Sequence, residues 1–180
     1  MMKDDIKEVL VSREQIETIC KTLGEKITED YKDKKLLVVG LLRGCMPFMA
    51  ELILNINLYT ELDYMVASSY EGGTSSTGHL VIKSDITTDV KGKDVLIVDD
   101  IIDTGLTLKE VKALFLNRGA ASVKTCVMLD KTEGRKENIN ADYFGTTIPN
   151  KFVVGYGLDY GPYYRNLPYV GVLKEEVYKK

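Results

Sequence analysis

Two uninterrupted apolar runs constrain the fold of this chain more than any other feature of its sequence. One is LLVVGLL at residues 36–42, and the other opens VLIVD at residues 95–99. Each run has the length of a β-strand, and the lack of polar alternation is typical of a strand covered on both faces. Such strands lie at the centre of parallel sheets with helices on both sides. The two runs therefore predict an α/β protein.

Helical patterns separate these runs. Ser12 and Gln15 have the spacing of a capping box, and apolar residues then recur at helical intervals until near Tyr31. A second helix begins at PFMAELILNI, with Pro47 in its first turn, and a third, LTLKEVKALFLNRG, is closed by Gly119. Further strands are predicted at residues 64–69, 122–129, 152–157 and 169–173. This alternation predicts a doubly wound, mainly parallel sheet.

Size and composition narrow the class of protein. The length suits one domain over residues 1–180, and 44% hydrophobic with 28% charged residues is typical of a folded globular protein. A formal charge of -3 and the lack of a Lys/Arg run argue against nucleic acid as a partner. The N-terminus lacks the apolar core of a signal peptide, and no apolar run is long enough to cross a bilayer. We therefore expect a cytoplasmic protein without a membrane partner.

The cysteines fit that compartment. Cys20, Cys45 and Cys126 form no CxxC pair and lack the spacing of zinc ligands. Their odd number also argues against a disulfide framework. We expect reduced thiols.

Acidic and hydroxyl residues cluster where the second apolar run ends. Asp99, Asp100 and Asp103 follow VLIV, and the turn TGLT at residues 104–107 leads into the third helix. Ligands bind at the carboxyl ends of parallel strands, where neighbouring carboxylates persist if cations or hydroxyl donors meet them. The turn combines exposed amides, hydroxyls and a helix N-terminus, which favour an anion.

A ligand with a cis-diol, a monophosphate and an accompanying Mg²⁺ fits both parts of this cluster. The cluster is not a Walker phosphate loop, because GK[ST] is absent. An acidic N-cap on an ordinary strand–helix unit is the simpler alternative, but one cap does not account for three acids. The sequence therefore predicts a site for a phosphorylated sugar.

The segment VLIVDDIIDTGLT resembles the signature of the type I phosphoribosyltransferases, which is an apolar strand, two acids, two apolar residues and D-T-G-x-T. Over essentially the whole chain, the sequence is similar to the hypoxanthine-guanine group of this family. The resemblance implies the type I phosphoribosyltransferase fold with a small hood built from N- and C-terminal segments. It also implies transfer of the phosphoribosyl group of phosphoribosyl pyrophosphate to N9 of hypoxanthine or guanine, with Mg²⁺, releasing pyrophosphate. Members are usually homodimers or homotetramers.

The resemblance assigns roles within this segment. Asp99 and Asp100 match acids that hold the ribose hydroxyls and Mg²⁺, and Asp103 matches the acid-base residue that takes the purine proton. Most members carry Glu at the first position, so Asp99 is one methylene shorter. The turn that binds the 5-phosphate corresponds to Thr104, Gly105, Leu106 and Thr107.

A second segment, LLRG, matches the family's pyrophosphate loop. It comprises Leu42, Arg43 and Gly44, and family members usually have a non-proline cis peptide at the position of Leu42–Arg43. Most members have Lys followed by Gly-Gly or Gly-Ser, so Arg43 and Cys45 depart from the pattern. Without the resemblance, LRG is only a common strand-ending turn.

A third segment, SSYEGGTSSTG at residues 68–78, resembles a mobile loop that closes over the reaction centre. Ser69 and Tyr70 match its Ser-Tyr pair. Closure excludes water from the reacting groups. Taken by itself, the segment fits an ordinary flexible hairpin loop.

The remaining matches concern the purine. Lys131 matches the lysine that donates to O6, Phe152 the aromatic ring that stacks on the base, and Val153 the residue whose backbone reads the purine edge. Asp159 matches a Mg²⁺ ligand on the pyrophosphate side, and Arg165 a residue that reaches toward pyrophosphate. Alone, a lysine after a strand is usually solvated, and the last segment fits a core strand with an aromatic loop.

Two other functions stay open at this stage. Xanthine differs from guanine only at the 2-position, so a xanthine-preferring enzyme fits the same residues, whereas Lys131 disfavours adenine because an ammonium only donates. A protein that senses phosphoribosyl pyrophosphate without chemistry also retains the signature turn, since fold does not fix function. Against a sensor, the chain retains Lys131, Phe152 and Asp159 and lacks an added DNA-binding segment.

Overall fold

The computed structural model describes residues 1–70 and 79–179. The strands in this part, in chain order, are β1 (Ile6–Val11), β2 (Leu36–Leu41), β3 (Glu61–Tyr70), β4 (His79–Ser84), β5 (Asp94–Ile102), β6 (Ser122–Asp130), β7 (Tyr143–Thr147), β8 (Val153–Val154) and β9 (Val170–Leu173). The α-helices are α1 (Arg13–Asp30), α2 (Met46–Ile53), α3 (Leu106–Asn117) and α4 (Glu175–Tyr178). The strands form a larger and a smaller sheet.

The larger sheet has the strand order β4-β3-β2-β5-β6-β7, and its neighbours are parallel except β3 with β4. Every residue of the central strand β2 is buried. Val38 and Leu96 pack in one core with residues of α1 and α2, whereas Val39 and Ile97 pack in a second core with Phe115 of α3. The predicted doubly wound, mainly parallel sheet is thus confirmed.

The smaller sheet is the predicted hood. Its strand order is β1-β9-β8 with antiparallel pairs, so β9 lies between an N-terminal strand and a second C-terminal one. Val11 pairs with Val170, and Val154 pairs with Gly171. A Cβ on Gly171 would lie 2.7 Å from Ile6 Cγ2, so glycine leaves room for the β1 side chain. The hood therefore joins segments from both ends of the sequence.

The predicted capping box and the thiols are as expected. The Gln15 amide donates to Ser12 Oγ at 3.3 Å, and the Ser12 amide donates to Gln15 Oε1 at 2.8 Å. The three cysteines, Cys20, Cys45 and Cys126, are buried and free. None of the helices in the described residues combines the length and apolar character needed to cross a membrane.

Edge strands and one C-terminal strand differ from the prediction. The strand expected at residues 152–157 is reduced to two residues, because Gly155 and Gly157 have φ of 96° and 103° and turn the chain away from the sheet. The sequence analysis also missed β1, β4 and β7. Each of these lies at the edge of a sheet, where a strand does not need a continuous apolar run.

Candidate active site

Two adjacent carboxylates lie at the carboxyl end of β5. The strand continues to Ile102, so Asp99 and Asp100 are part of it. The Asp100 amide donates to Asp99 Oδ1 at 3.0 Å, and the Ile101 amide donates to Asp100 Oδ1 at 2.8 Å. Burial and the neighbouring Asp100 charge raise the pKa of Asp99 well above its usual value. Burial also raises the pKa of Asp100, although the Arg165 charge opposes this shift. A cation beside the pair would relieve this repulsion.

The turn after β5 encloses a small cavity. Gly105 has φ of 83°, which favours glycine, and immediately precedes α3. The Leu106 amide donates to Thr104 Oγ1 at 3.4 Å. The cavity, of about 120 Å³, is lined by Asp99, Ile101, Ile102, Asp103, Thr104, Gly105, Thr107 and Leu108. Amides and hydroxyls at a helix N-terminus are groups that bind anions.

The loop between β2 and α2 lies against Asp100. Its Leu42–Arg43 peptide bond is cis, as the family resemblance implied, and the Arg43 side chain is exposed. A Cβ on Gly44 would lie 1.8 Å from Asp100 Oδ2, and a Cβ on Gly157 would lie 1.9 Å from the Gly44 carbonyl oxygen. Glycine at both positions therefore lets the loop, β5 and the C-terminal segment approach each other beside this carboxylate.

Arg165 forms contacts within the C-terminal segment, next to the position where Gly157 approaches the loop of residues 42–44. Its Nη2 lies 2.8 Å from Asp159 Oδ2, and its Nη1 donates to the Gly157 carbonyl oxygen at 2.5 Å. The Gly157 amide donates in return to the Arg165 carbonyl oxygen at 3.0 Å. The predicted Mg²⁺ ligand Asp159 and the predicted pyrophosphate contact Arg165 thus pair with each other here.

Lys131 and Asp103 form an ion pair at the neighbouring strand ends. Lys131 Nζ lies 3.1 Å from Asp103 Oδ2, and the Lys131 amide donates to the Ile102 carbonyl oxygen at 3.0 Å. Only 15% of the Lys131 side chain is exposed, against 43% for Asp103. Lys131 is therefore not the solvated surface lysine that the sequence left open. The pair presents a hydrogen-bond donor and an acceptor side by side.

Phe152 lies in an aromatic group at the hood. Its ring stacks on Tyr178 of α4 with centroids 4.8 Å apart and planes at 21°, and Tyr160 meets it edge-on at 5.6 Å. Phe152 keeps 39% of its surface exposed. Val153 follows it in β8 and pairs with Val172. The sequence did not predict that Tyr160 and Tyr178 pack against Phe152. The clustering of tyrosines near the C-terminus was the one feature that could have indicated it.

The other predicted residues lie near or beyond the limit of the described chain. Ser69 and Tyr70 end β3, and their backbones pair with Leu80 and His79 of β4. The rest of the loop predicted to close over the site, residues 71–78, lies outside the described residues. Within residues 1–70 and 79–179, no three His, Cys, Asp or Glu side chains converge as a metal site.

Known proteins with similar sequences and structures agree with this geometry. Residues 9–161 match the model of the phosphoribosyl transferase domain. The chain is 57% identical to the hypoxanthine-guanine phosphoribosyltransferase of Streptococcus pneumoniae, over 99% of each chain, and 53% identical to that of Streptococcus agalactiae over the whole of both. A crystal structure of a hypoxanthine phosphoribosyltransferase from Staphylococcus aureus superposes with a TM-score of 0.95 at 49% identity, covering 99% of this chain and 97% of that one. The chain therefore belongs to the phosphoribosyl transferase family.

Proposed function

We propose that the protein transfers the phosphoribosyl group of phosphoribosyl pyrophosphate to hypoxanthine or guanine, a purine salvage reaction that forms IMP or GMP and pyrophosphate with Mg²⁺. The observation that carries this proposal is the convergence of adjacent carboxylates, an anion-binding turn and a Lys–Asp pair at the carboxyl ends of β5 and β6. Relatives at 57% and 53% identity bear the name of that enzyme.

The sugar phosphate binds, in this proposal, along the end of β5. The cavity of about 120 Å³ receives the 5-phosphate, with the first amides of α3 and the Thr104 and Thr107 hydroxyls as donors. Asp99 and Asp100 accept hydrogen bonds from the ribose hydroxyls. Because the carboxylates and the turn belong to one continuous segment, the phosphate fixes the orientation of the ribose.

The donor chemistry of the site fits Mg²⁺. Asp99 and Asp100 offer carboxylate oxygens, the ligands this ion prefers, and no ion pair reaches either of them from residues 1–70 and 79–179. Asp99 and Asp100 are the residues that would hold an ion beside the ribose, and Asp159 would help to hold one on the pyrophosphate side. Bound there, Mg²⁺ would supply positive charge to the pyrophosphate oxygens.

The leaving group is handled by the loop of residues 42–44 and by Arg165. Cleavage of the bond at ribose C1 places positive charge on the sugar and negative charge on pyrophosphate, so groups that stabilise both accelerate the reaction. The loop lies against Asp100, and the Arg165 charge opposes the rise that burial causes in the pKa of this same carboxyl. Arg43 adds a second guanidinium at the rim.

Base recognition rests on Lys131, Asp103 and Phe152. A free 6-oxopurine carries the acceptor O6 beside N7, which bears the proton in the N7–H tautomer, so a donor and an acceptor placed side by side can serve both positions. Lys131 donates to O6, and Asp103, 3.1 Å from Lys131 Nζ, takes the purine proton. Phe152 offers a ring for stacking, and the Val153 backbone reads the remaining edge. A lysine donor favours a 6-oxo over a 6-amino group.

Steady-state rates with hypoxanthine, guanine, xanthine and adenine test the proposal. We expect turnover with the first two, slower turnover with xanthine, and none above background with adenine. A preference for xanthine would show that the protein is instead a xanthine-preferring phosphoribosyltransferase. Binding of phosphoribosyl pyrophosphate without nucleotide formation from any purine would instead indicate a sensor.

The assembly is proposed to be a homodimer or homotetramer of single-domain chains. Light scattering coupled to size-exclusion chromatography measures the mass of the assembly directly. A single cooperative unfolding transition would support one domain over residues 1–180, whereas two separate transitions would contradict it.

A further inference from the structure

Arg135 lies behind the turn that carries Asp103. Its Nε donates to the Asp103 carbonyl oxygen at 3.0 Å, its Nη1 donates to the Ile139 carbonyl oxygen, and its Nη2 forms an ion pair with Asp130. Only 13% of the Arg135 side chain is exposed, and only 10% of the Asp130 side chain. One guanidinium therefore links the end of β6, the turn after β5 and the loop that follows Lys131.

Asp130 explains why this guanidinium stays in place. It is the last residue of β6 and one of two polar residues, with Thr125, that are buried in the described chain. A buried carboxylate is costly unless a cation and hydrogen bonds compensate it, and the same holds for a buried guanidinium. Each charge thus fixes the position of the other.

The backbone next to Arg135 holds the same turn. The amides of residues 136 and 137 donate to the Thr104 carbonyl oxygen at 3.1 and 3.0 Å. A Cβ on Gly134 would lie 1.7 Å from Asp103 Oδ1, so the two segments are in close contact. A shift of Arg135 is therefore transmitted both to Asp103 and to Thr104, where the turn at residues 104–107 begins.

We propose that Arg135 is a positioning residue for the phosphoribosyl transfer. It acts through Asp103, whose backbone it fixes so that the carboxylate stays beside Lys131 while the turn holds the phosphate. Arginine suits this role because its planar fork donates to a carboxylate and to carbonyl oxygens at once, whereas lysine has a single nitrogen. The inference rests on the proposed function, which gives Asp103 the proton transfer.

Arg135→Lys tests the geometric part of the proposal, because it keeps a positive charge near Asp130 and removes the fork. We expect kcat to fall about 10- to 100-fold, the effect of a displacement near 1 Å at a reacting group. The purine KM should stay near the wild-type value, since Lys131 and Phe152 are unchanged. A kcat equal to that of the wild-type protein would overturn the proposal.

Arg118→Lys is the matched control. The Arg118 guanidinium also binds a carboxylate in a two-pronged manner, with 2.8 and 2.5 Å to the two Asp85 oxygens, but outside the site. Its kcat should equal that of the wild type when all proteins are assayed well below their melting temperatures. An equal loss of kcat in both variants would overturn the proposal.

A double variant, Asp130→Leu with Arg135→Met, separates positioning from stability. Replacing both buried charges by apolar side chains of similar volume is often neutral or stabilising, so the melting temperature should lie above that of Arg135→Met alone. Turnover should nevertheless stay low, because no donor holds the Asp103 carbonyl. Recovery of kcat together with stability would reduce Arg135 to a purely structural role. If the double variant does not fold, the comparison of Arg135→Lys with Arg118→Lys decides whether Arg135 has a positioning role.

The wild-type protein in the same assay distinguishes the two levels of inference. No nucleotide product from wild-type protein would refute the proposed function itself. Active wild-type protein with an equally active Arg135→Lys variant would refute only the positioning role.

Discussion

Acidic and hydroxyl groups crowd the carboxyl end of β5, whereas the hood presents aromatic rings. Asp99 and Asp100 have no ion pair within the described residues, and their backbone belongs to a central strand of the larger sheet. Phe152, by contrast, keeps 39% of its surface exposed and is supported by Tyr178 from the four-residue helix α4. One region offers charged and hydroxyl groups, and the other offers the faces of aromatic rings.

In the proposed function, the β5 end carries out the chemical step and the hood contributes affinity for the base. Groups that act on developing charge matter in the transition state, so their loss lowers kcat. Groups that contact the base equally in the ground and transition states change KM instead. Substitutions in the two regions should therefore have different kinetic effects.

Asp103→Asn is expected to have the largest effect, at the β5 end. It removes the proton acceptor while keeping the shape of the side chain, so kcat should fall about 10²- to 10⁴-fold. Calorimetric titration should show retained binding of phosphoribosyl pyrophosphate. Asp94→Asn is the control, since Asp94 lies at the opposite end of the same strand, where it accepts a hydrogen bond from Ser122 Oγ. Near wild-type turnover of Asp103→Asn would remove Asp103 from its role.

Asp100→Asn should have the next largest effect. It removes a charged acceptor for the ribose and for Mg²⁺, and we expect kcat/KM for phosphoribosyl pyrophosphate to fall about 10- to 100-fold, as when a hydrogen bond to a charged group is lost. The Mg²⁺ concentration that gives half-maximal rate should rise. An unchanged Mg²⁺ titration would contradict the assignment of Asp100 as a ligand.

Phe152→Leu probes the hood and should have a smaller effect of a different kind. Stacking on a base contributes about 1–3 kcal/mol, and because leucine keeps part of the apolar contact we expect the purine KM to rise about fivefold. The kcat should change little. Phe144→Leu, at an exposed phenylalanine of β7, should leave both parameters unchanged. A loss of kcat without a change in purine KM would break the contrast between the two regions.

Asp63→Ala should lower the unfolding free energy and leave kcat and KM unchanged, because Asp63 lies in β3 and, in the described part of the chain, contacts none of the site residues named above. Its Oδ2 accepts from the Thr87 amide at 2.9 Å, the Thr88 amide at 2.8 Å and Thr87 Oγ1 at 3.2 Å. Burial alone would raise the pKa of Asp63, but hydrogen bonds from the Thr88 side chain and from the amides of Tyr64, Thr88 and Thr87 lower it to about 2. We expect a loss of about 1–2 kcal/mol in unfolding free energy at neutral pH.

The pH dependence of this loss has a definite sign. Since the pKa of Asp63 is lower in the folded state, its stabilising contribution is complete above the unfolded value of about 3.9 and disappears as the pH falls toward 2. Denaturant unfolding of wild type and variant should therefore converge over that interval. A difference that is constant from pH 7 to pH 2 would contradict this account.

The parts of the fold predicted correctly carry their signals locally. The apolar runs of β2 and β5 identify buried strands without reference to any neighbour, and the cap formed by Ser12 and Gln15 spans one helical turn. The acids at the end of β5 were placed by the general rule that ligands bind at the carboxyl ends of parallel strands. The structure places them at that strand end, with Asp103 beside Lys131.

The parts that were missed depend on distant residues. The charged segment Ile6–Val11 becomes a strand because it pairs with β9, at Val170 among others. Arg135 lies four residues after Lys131, and the sequence predicted a role for the lysine alone. The contacts of Arg135 with Asp103 and Asp130 exist only once β5 and β6 lie side by side. The sequence alone does not show that β5 and β6 are neighbours, so it could not predict these contacts.

The position of β9 in the hood determines the order in which the two sheets can form during synthesis of the chain. Although β1 precedes every other strand, its partner β9 comes last, whereas the strands of the larger sheet are complete by Thr147. Because the ribosome makes the chain from its N-terminus, the larger sheet and the turn at residues 104–107 emerge before the hood has its middle strand. In the proposed function, a nascent chain therefore has its turn for the sugar phosphate before the hood that would stack the purine is complete.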